Sequence, residues 1–95
     1  MNTTQLECFL AVAETLNFSK AAEMVNISQP AVSHQMSSLE AELGVRLFLR
    51  TNKSVQLTKE GLIFIGDAET IVRTAMNSIH RLSTNVKEKK RTVAI

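Results

Sequence analysis

A chain of 95 residues has material for one small domain and too little for two. It is 44% apolar but only 4% aromatic, with one Pro and three Gly, which excludes a loop-rich or disordered chain and predicts packed helices of Leu, Val, Ile, Ala and Met. The net charge is +2, the lone Cys8 excludes an internal disulfide, and no run approaches the roughly 18 apolar residues of a membrane span.

Leu6, Phe9, Leu10 and Ala13 recur at helical spacing from Thr4 to Leu16, predicting a first amphipathic helix capped by Thr3 or Thr4. Cys8 falls within it as a small, partly buried residue. Glu7 and Glu14 break this apolar run and no basic leader precedes it, so it does not read as a signal peptide; a reducing cytoplasm is the expected compartment. Asn17 is placed to cap a short second helix through Ser19, Ala21, Ala22 and Val25, where the small Ala pair lets another helix approach closely. Asn26, Ile27 and Ser28 form a turn, and the Ser28 hydroxyl can accept from an unpaired amide at the start of a third helix. Pro30 falls in the first turn of that helix, where a missing N–H costs nothing. Val32, Met36, Leu39 and Leu43 form one apolar stripe, and Gly44 supplies the left-handed residue that ends the helix.

After Gly44 the period shortens. Leu47 to Arg50 and Val55 to Leu57 are β-type runs on either side of the polar turn Thr51, Asn52, Lys53, Ser54, which reads as a hairpin. Thr58 caps a helix expected to run to about Val86, roughly 40 Å at 1.5 Å per residue. Ile65, Val72, Ile79 and Val86 follow a heptad, with Ala68, Ala75 and Leu82 three residues later and Phe64, Ile71 and Met76 widening the stripe. So broad a face cannot all be buried within one chain. Pairing with a second copy through Ile65, Ala68, Val72, Ala75, Ile79 and Leu82 is expected. Lys87 to Arg91 reads as a charged hinge, and Thr92 to Ile95 as an apolar strand with nothing to pair against, as if the chain were cut from something longer. The expected division is a compact domain over 1–58, a linker helix over 59–86, and a hinge with the first strand of a further domain over 87–95.

Charge is spread unevenly along this plan. Residues 1–60 hold five basic and six acidic side chains, whereas 61–95 hold six and three. By bulk charge the first segment does not look like a nucleic-acid binder. Yet no acid lies between Glu23 and Glu40, nor between Glu42 and Glu60, and the second window carries Arg46, Arg50, Lys53 and Lys59.

Helix, short helix, tight turn, helix, hairpin is the order of a mainly α, winged helix-turn-helix domain. With the stripe of the third helix turned inward, Gln29, Pro30, Ser33, His34 and Ser37 lie on its outer face. These side chains include donors and acceptors and no acid that would repel phosphate. The major groove of double-stranded DNA admits such a helix, and its N-terminal residues reach base edges. Gln29 suits a bidentate contact to adenine, Ser33 and Ser37 suit bases or phosphates, and His34 can donate to guanine or to phosphate. A polar helix face is ordinarily just solvated; the short helix, the turn and the basic hairpin beside it are what favour DNA. A pure interaction module built on the long helix leaves those features unexplained. Catalysis finds no support either: His34 and His80 lie on different helices, without a Cys or carboxylate placed to make a metal site. Ser33 and His34, as helix neighbours, point about 100° apart. No enzyme activity, metal or cofactor is expected.

Three runs now stand out: Phe18-Ser19-Lys20-Ala21-Ala22, Ser28-Gln29-Pro30-Ala31-Val32-Ser33, and Leu39-Glu40-Ala41-Glu42-Leu43-Gly44-Val45-Arg46-Leu47-Phe48. With Arg50 and Leu57-Thr58-Lys59-Glu60-Gly61, they make essentially the whole chain resemble the LysR-type bacterial transcription regulators. The resemblance implies that Gln29, Pro30, Ser33 and His34 face the major groove. It implies that Ser19, Lys20 and Ser28, and Arg50, Thr51, Asn52, Lys53 and Ser54 in the wing, touch phosphate or the minor groove. It implies an antiparallel homodimer through the long helix, tetramers in the full-length protein, and a periplasmic-binding-protein-like domain beyond, through which a small-molecule effector acts. Interrupted palindromes near promoters are the implied targets, and no membrane partner is implied. Two positions depart from the family pattern. His34 stands where Arg or Lys is usual, replacing a permanent charge with a group mostly neutral at pH 7, and Leu49 stands where Glu is common.

Overall fold

A computed structural model of the chain shows four helices and one hairpin: α1 (Thr3–Thr15), α2 (Phe18–Val25), α3 (Gln29–Leu43), β1 (Phe48–Arg50), β2 (Val55–Leu57) and α4 (Lys59–Val93). The structure describes the backbone of residues 1–93 and the side chains of residues 1–84.

The helix boundaries follow from capping chemistry. Asn17 accepts from Lys20 N at 3.0 Å, Ser28 from Ala31 N at 3.2 Å, and Thr58 from Gly61 N at 2.9 Å, each pairing an amide that its helix leaves orphaned. The first helix differs from expectation. Thr3 is already helical, and Asn2 is the cap, its side-chain oxygen accepting from Gln5 N at 2.8 Å. The C-terminal ends of α1, α2 and α3 each turn through a left-handed residue: Leu16, Asn26 and Gly44, with φ of 50°, 58° and 73°. Gly44 does so without cost and Asn26 at little cost, whereas Leu16 carries a Cβ into a region that disfavours it.

Four phenylalanines, one from each of α1, α2, β1 and α4, make the centre of the core. Phe9 lies 5.5 Å from Phe48 and 5.2 Å from Phe64 between ring centroids, and Phe18 meets Phe48 edge-on at 6.3 Å. The few aromatics are thus concentrated where four elements meet, each pair contributing about 0.5–1.5 kcal/mol beyond area burial. Leu6, Val12, Val32, Met36, Leu39 and Leu47 close around them, all fully buried. Val32, Met36 and Leu39 confirm the inward stripe of α3, with Leu43 half-buried at its end.

The hairpin pairs antiparallel in the register Phe48↔Leu57, Leu49↔Gln56 and Arg50↔Val55. Phe48 points into the core and Leu49 out, 53% exposed. The root of α4 is pinned against the chain that leads into β1. Thr58 donates from its backbone N to Leu47 O at 3.0 Å and from its hydroxyl to Arg46 O at 2.6 Å. Gly61 passes so close that a Cβ there would lie 2.2 Å from Leu47 O.

The apolar face of α4 divides into two parts, and of the expected pairing positions only Ala68 is wholly taken up by its own chain. Ala68 is fully buried in the core of its own chain, while Ile65 and Val72 are half-buried and packed against that core. Ala75 is half-exposed, and Ile79 and Leu82 are 59% and 64% exposed. The helix also continues past Val86, carrying the backbone of the predicted hinge, Lys87 to Arg91, and of Thr92 and Val93. Ala94 and Ile95 lie outside the described residues, and the strand expected over Thr92 to Ile95 cannot begin within the helix. No helix among the described residues is long and apolar enough to cross a membrane.

Candidate functional site

The outer face of α3 is built by its own packing. Because Val32, Met36 and Leu39 are fully buried, the opposite face of the helix is turned outward: Gln29, Pro30, His34 and Ser37 are exposed and Ser33 is half-buried. Ser28 is exposed too, but its hydroxyl is occupied by Ala31 N, so its first role is to start the helix.

The start of α2 stands beside the start of α3. The Ser19 hydroxyl donates to Gln29 Oε1 at 2.9 Å, a bond that orients the Gln29 amide while leaving its NH2 group and a second oxygen lone pair for another partner. Lys20, next along α2, is exposed. Asn17, Ser19 and Gln29 line one cleft together with Asn52, Lys53 and Ser54 of the wing. The wing turn holds its own shape. Thr51 N donates to Ser54 O at 2.9 Å, and the Thr51 hydroxyl accepts from Ser54 N at 3.0 Å and Lys53 N at 3.3 Å. Thr51 is therefore spent on the turn, and Asn52 and Lys53 project from it. Among the described residues Lys20 and Lys53 form no ion pair.

Arg50 is placed differently from the rest of the predicted set. Its guanidinium lies 4.5 Å over the Phe18 ring and a terminal nitrogen is 3.7 Å from Glu40 Oε1; the side chain is 27% exposed. Its guanidinium is thus shared between the Phe18 ring of α2 and the Glu40 carboxylate of α3. Glu40 was absent from the sequence-derived set and proves central. It is a buried carboxylate, 8% exposed, and Oε2 accepts from Leu47 N at 2.6 Å and Phe48 N at 3.2 Å. Arg46 Nε approaches the same oxygen at 3.5 Å. Two amides and two guanidinium groups offset the cost of burying the charge. A signal for this was present in the chain: Glu40 follows Met36 by four residues, on the inward stripe.

Cys8 is 1% exposed and has no second cysteine to pair with. Burial, reinforced by the neighbouring Glu7 carboxylate, pushes its thiol above the ordinary value of 9.0. Among the described residues no group of His, Cys, Asp and Glu is placed to hold a metal ion.

Residues 3–62 match the family described as bacterial regulatory helix-turn-helix proteins, lysR family. The chain is 49% identical over 67 residues to the HTH-type transcriptional regulator YnfL of Escherichia coli K12, covering 70% of this chain and 23% of that protein. It is 40% identical over 81 residues to the HTH-type transcriptional regulator TfdT of Cupriavidus pinatubonensis, covering 85% of this chain and 36% of that one. The fold superposes on the DNA-binding domain of CbnR, solved in complex with DNA, with a TM-score of 0.84 and 40% identity over 90% of this chain and 99% of that chain. The chain thus spans a quarter to a third, roughly, of the length of the curated relatives it matches.

Proposed function

The chain belongs to the LysR family of bacterial regulatory helix-turn-helix proteins, and from that premise we propose that it is the DNA-reading part of a transcription regulator. The observation that carries this reading is the cleft that gathers Ser19, Gln29 and the wing tip on one side of the domain. The N-terminal outer face of α3 enters the major groove. Gln29, Pro30, Ser33, His34 and Ser37 read base edges there, while Ser19, Lys20, Ser28 and wing residues Asn52, Lys53 and Ser54 meet the backbone or minor groove.

The protein works as a homodimer, because the outer half of α4 exposes Met76, Ile79 and Leu82, which none of the described residues covers. Two copies related by a two-fold axis read two half-sites, an interrupted palindrome. The relatives are longer, which supports an effector-binding domain beyond α4; tetramer formation and a cytoplasmic, non-enzymatic role, as the family resemblance implies, complete the reading. In that plan 1–58 bind DNA, 59–86 link and pair, and 87–95 lead to the next domain.

Fluorescence anisotropy on duplex from upstream of its own gene and on a scrambled control, across a salt series, tests it. Specific binding with a steep inverse salt dependence is expected. Weak binding that does not discriminate between the two duplexes would count against α3 as a reading element.

A further inference from the structure

Two strands of three residues form only a marginal ribbon by themselves, so something must set the angle of the wing. Arg50 lies at that junction. Phe18 opens α2, Glu40 sits on α3 and Arg50 ends β1, so a single guanidinium joins the wing to both helices of the helix-turn-helix pair. Glu40 adds a second tie through the amides of Leu47 and Phe48, where the chain enters β1. The Arg50 Nε is itself buried.

Resting on the DNA reading above, we propose that Glu40 and Arg50 are positioning residues for DNA recognition. With Arg50 stacked on Phe18, they hold the wing tip at the angle from which Asn52 and Lys53 meet the duplex that Gln29 reads. Arg50 is a poor phosphate anchor in this setting, because Glu40 already answers its charge, whereas Lys53 is exposed and without an ion pair among the described residues. The planar guanidinium is what the site uses: it stacks on a ring and reaches a carboxylate at once, which an ammonium cannot do.

Contact and positioning predict opposite signs. If charge alone mattered, removing a carboxylate from a DNA-facing domain would strengthen binding, since one repulsion of phosphate disappears. Removing a positioning carboxylate weakens it. The probe is a duplex selected from a random-sequence library by the 95-residue chain, with affinity read by anisotropy at fixed salt. Glu40→Gln is expected to weaken binding about tenfold, the scale of one charge-assisted hydrogen bond. Arg50→Lys is expected to lose a similar factor although it keeps the charge, with a melting midpoint close to that of the parent. The double variant should lose less than the two single losses combined, because both changes break the shared link between Arg50 and Glu40. Binding by Glu40→Gln as tight as the parent or tighter, or full affinity in Arg50→Lys, would overturn the proposal. Should Glu40→Gln fail to fold by circular dichroism, Arg50→Lys decides alone, since it leaves the two backbone bonds of Glu40 in place. A parent chain that selects no duplex would overturn the DNA reading itself and this inference with it. Selection of a duplex, followed by variants that behave as simple charge contacts, would overturn only the inference.

Discussion

In the proposed reading two demands meet at Gln29, since a side chain that reads a base must be rigid enough to select it and free enough to reach it. The Ser19 hydroxyl meets the first demand and full exposure the second. Replacing Gln29 with Ala should cost about 1–3 kcal/mol on the selected duplex and almost nothing on scrambled DNA, as measured by parallel anisotropy titrations. Equal losses on both would remove base reading from this residue. Cys8 supports a different prediction. Its thiol binds its proton more tightly in the folded chain than in the unfolded one, so its contribution is fully present below pH 9. As pH rises through the ordinary value of 9.0, the unfolded chain deprotonates first and stability falls. Urea melts at pH 8 and about pH 10 should show that fall, and Cys8→Ser should show less of it. Alkylation of the native thiol should likewise be slow against a free cysteine at the same pH.

At the scale of elements, the caps and the turns were the legible part. Asn17, Ser28, Gly44 and Thr58 act where their local chemistry predicts, because a cap depends on a residue and its next three neighbours only. Asn2 in place of Thr3 or Thr4 shows the limit of that logic, since adjacent residues of similar capping strength compete for one boundary. The left-handed Leu16 had no Gly or Asn to mark it, although its turn is closed by local bonds, Leu16 N to Val12 O and Asn17 N to the Thr15 hydroxyl. The inward turn of Arg50 was hidden because it depends on Phe18 and Glu40, distant in sequence and brought together only by the fold. Gly61 belongs to this second class. As a helical residue it should gain from replacement by Ala, about 1 kcal/mol in propensity. The close approach to Leu47 O outweighs that gain, because the clashing atom is backbone and cannot swing aside. Gly61→Ala is therefore expected to destabilise the chain by about 1–3 kcal/mol in urea unfolding, and an increase in stability would show that α4 can lift away from β1.

Across the whole molecule, extents of 63 × 24 × 19 Å describe a body at one end and a rod at the other. The heptad in α4 was legible as a pattern, but the pattern could not tell which of its positions face the body and which face a partner. Ala68 shows why: a small apolar residue at heptad spacing serves either purpose, and only the docking of α1 assigns it inward. Leu82 remains outside, 64% exposed. Leu82→Glu should leave the unfolding midpoint at low protein concentration nearly unchanged, within about 0.5 kcal/mol. It should also weaken self-association by about 100-fold, because two-fold symmetry counts each lost Leu burial twice. Sedimentation velocity across a concentration series would show it, and an unaltered dimer would place the seam elsewhere on the helix.

The division of α4 into a face buried in its own chain and a face left exposed has, under the proposed pairing, a genetic reading. In a cell carrying a mutant copy beside an intact one, Ala68→Glu should be recessive, because a charge forced into the core leaves no folded chain to interfere. Leu82→Glu should be recessive too, since the altered chain folds but finds no mate. Gln29→Ala, which folds and pairs but misreads its half-site, should be dominant and should poison the intact copy it joins.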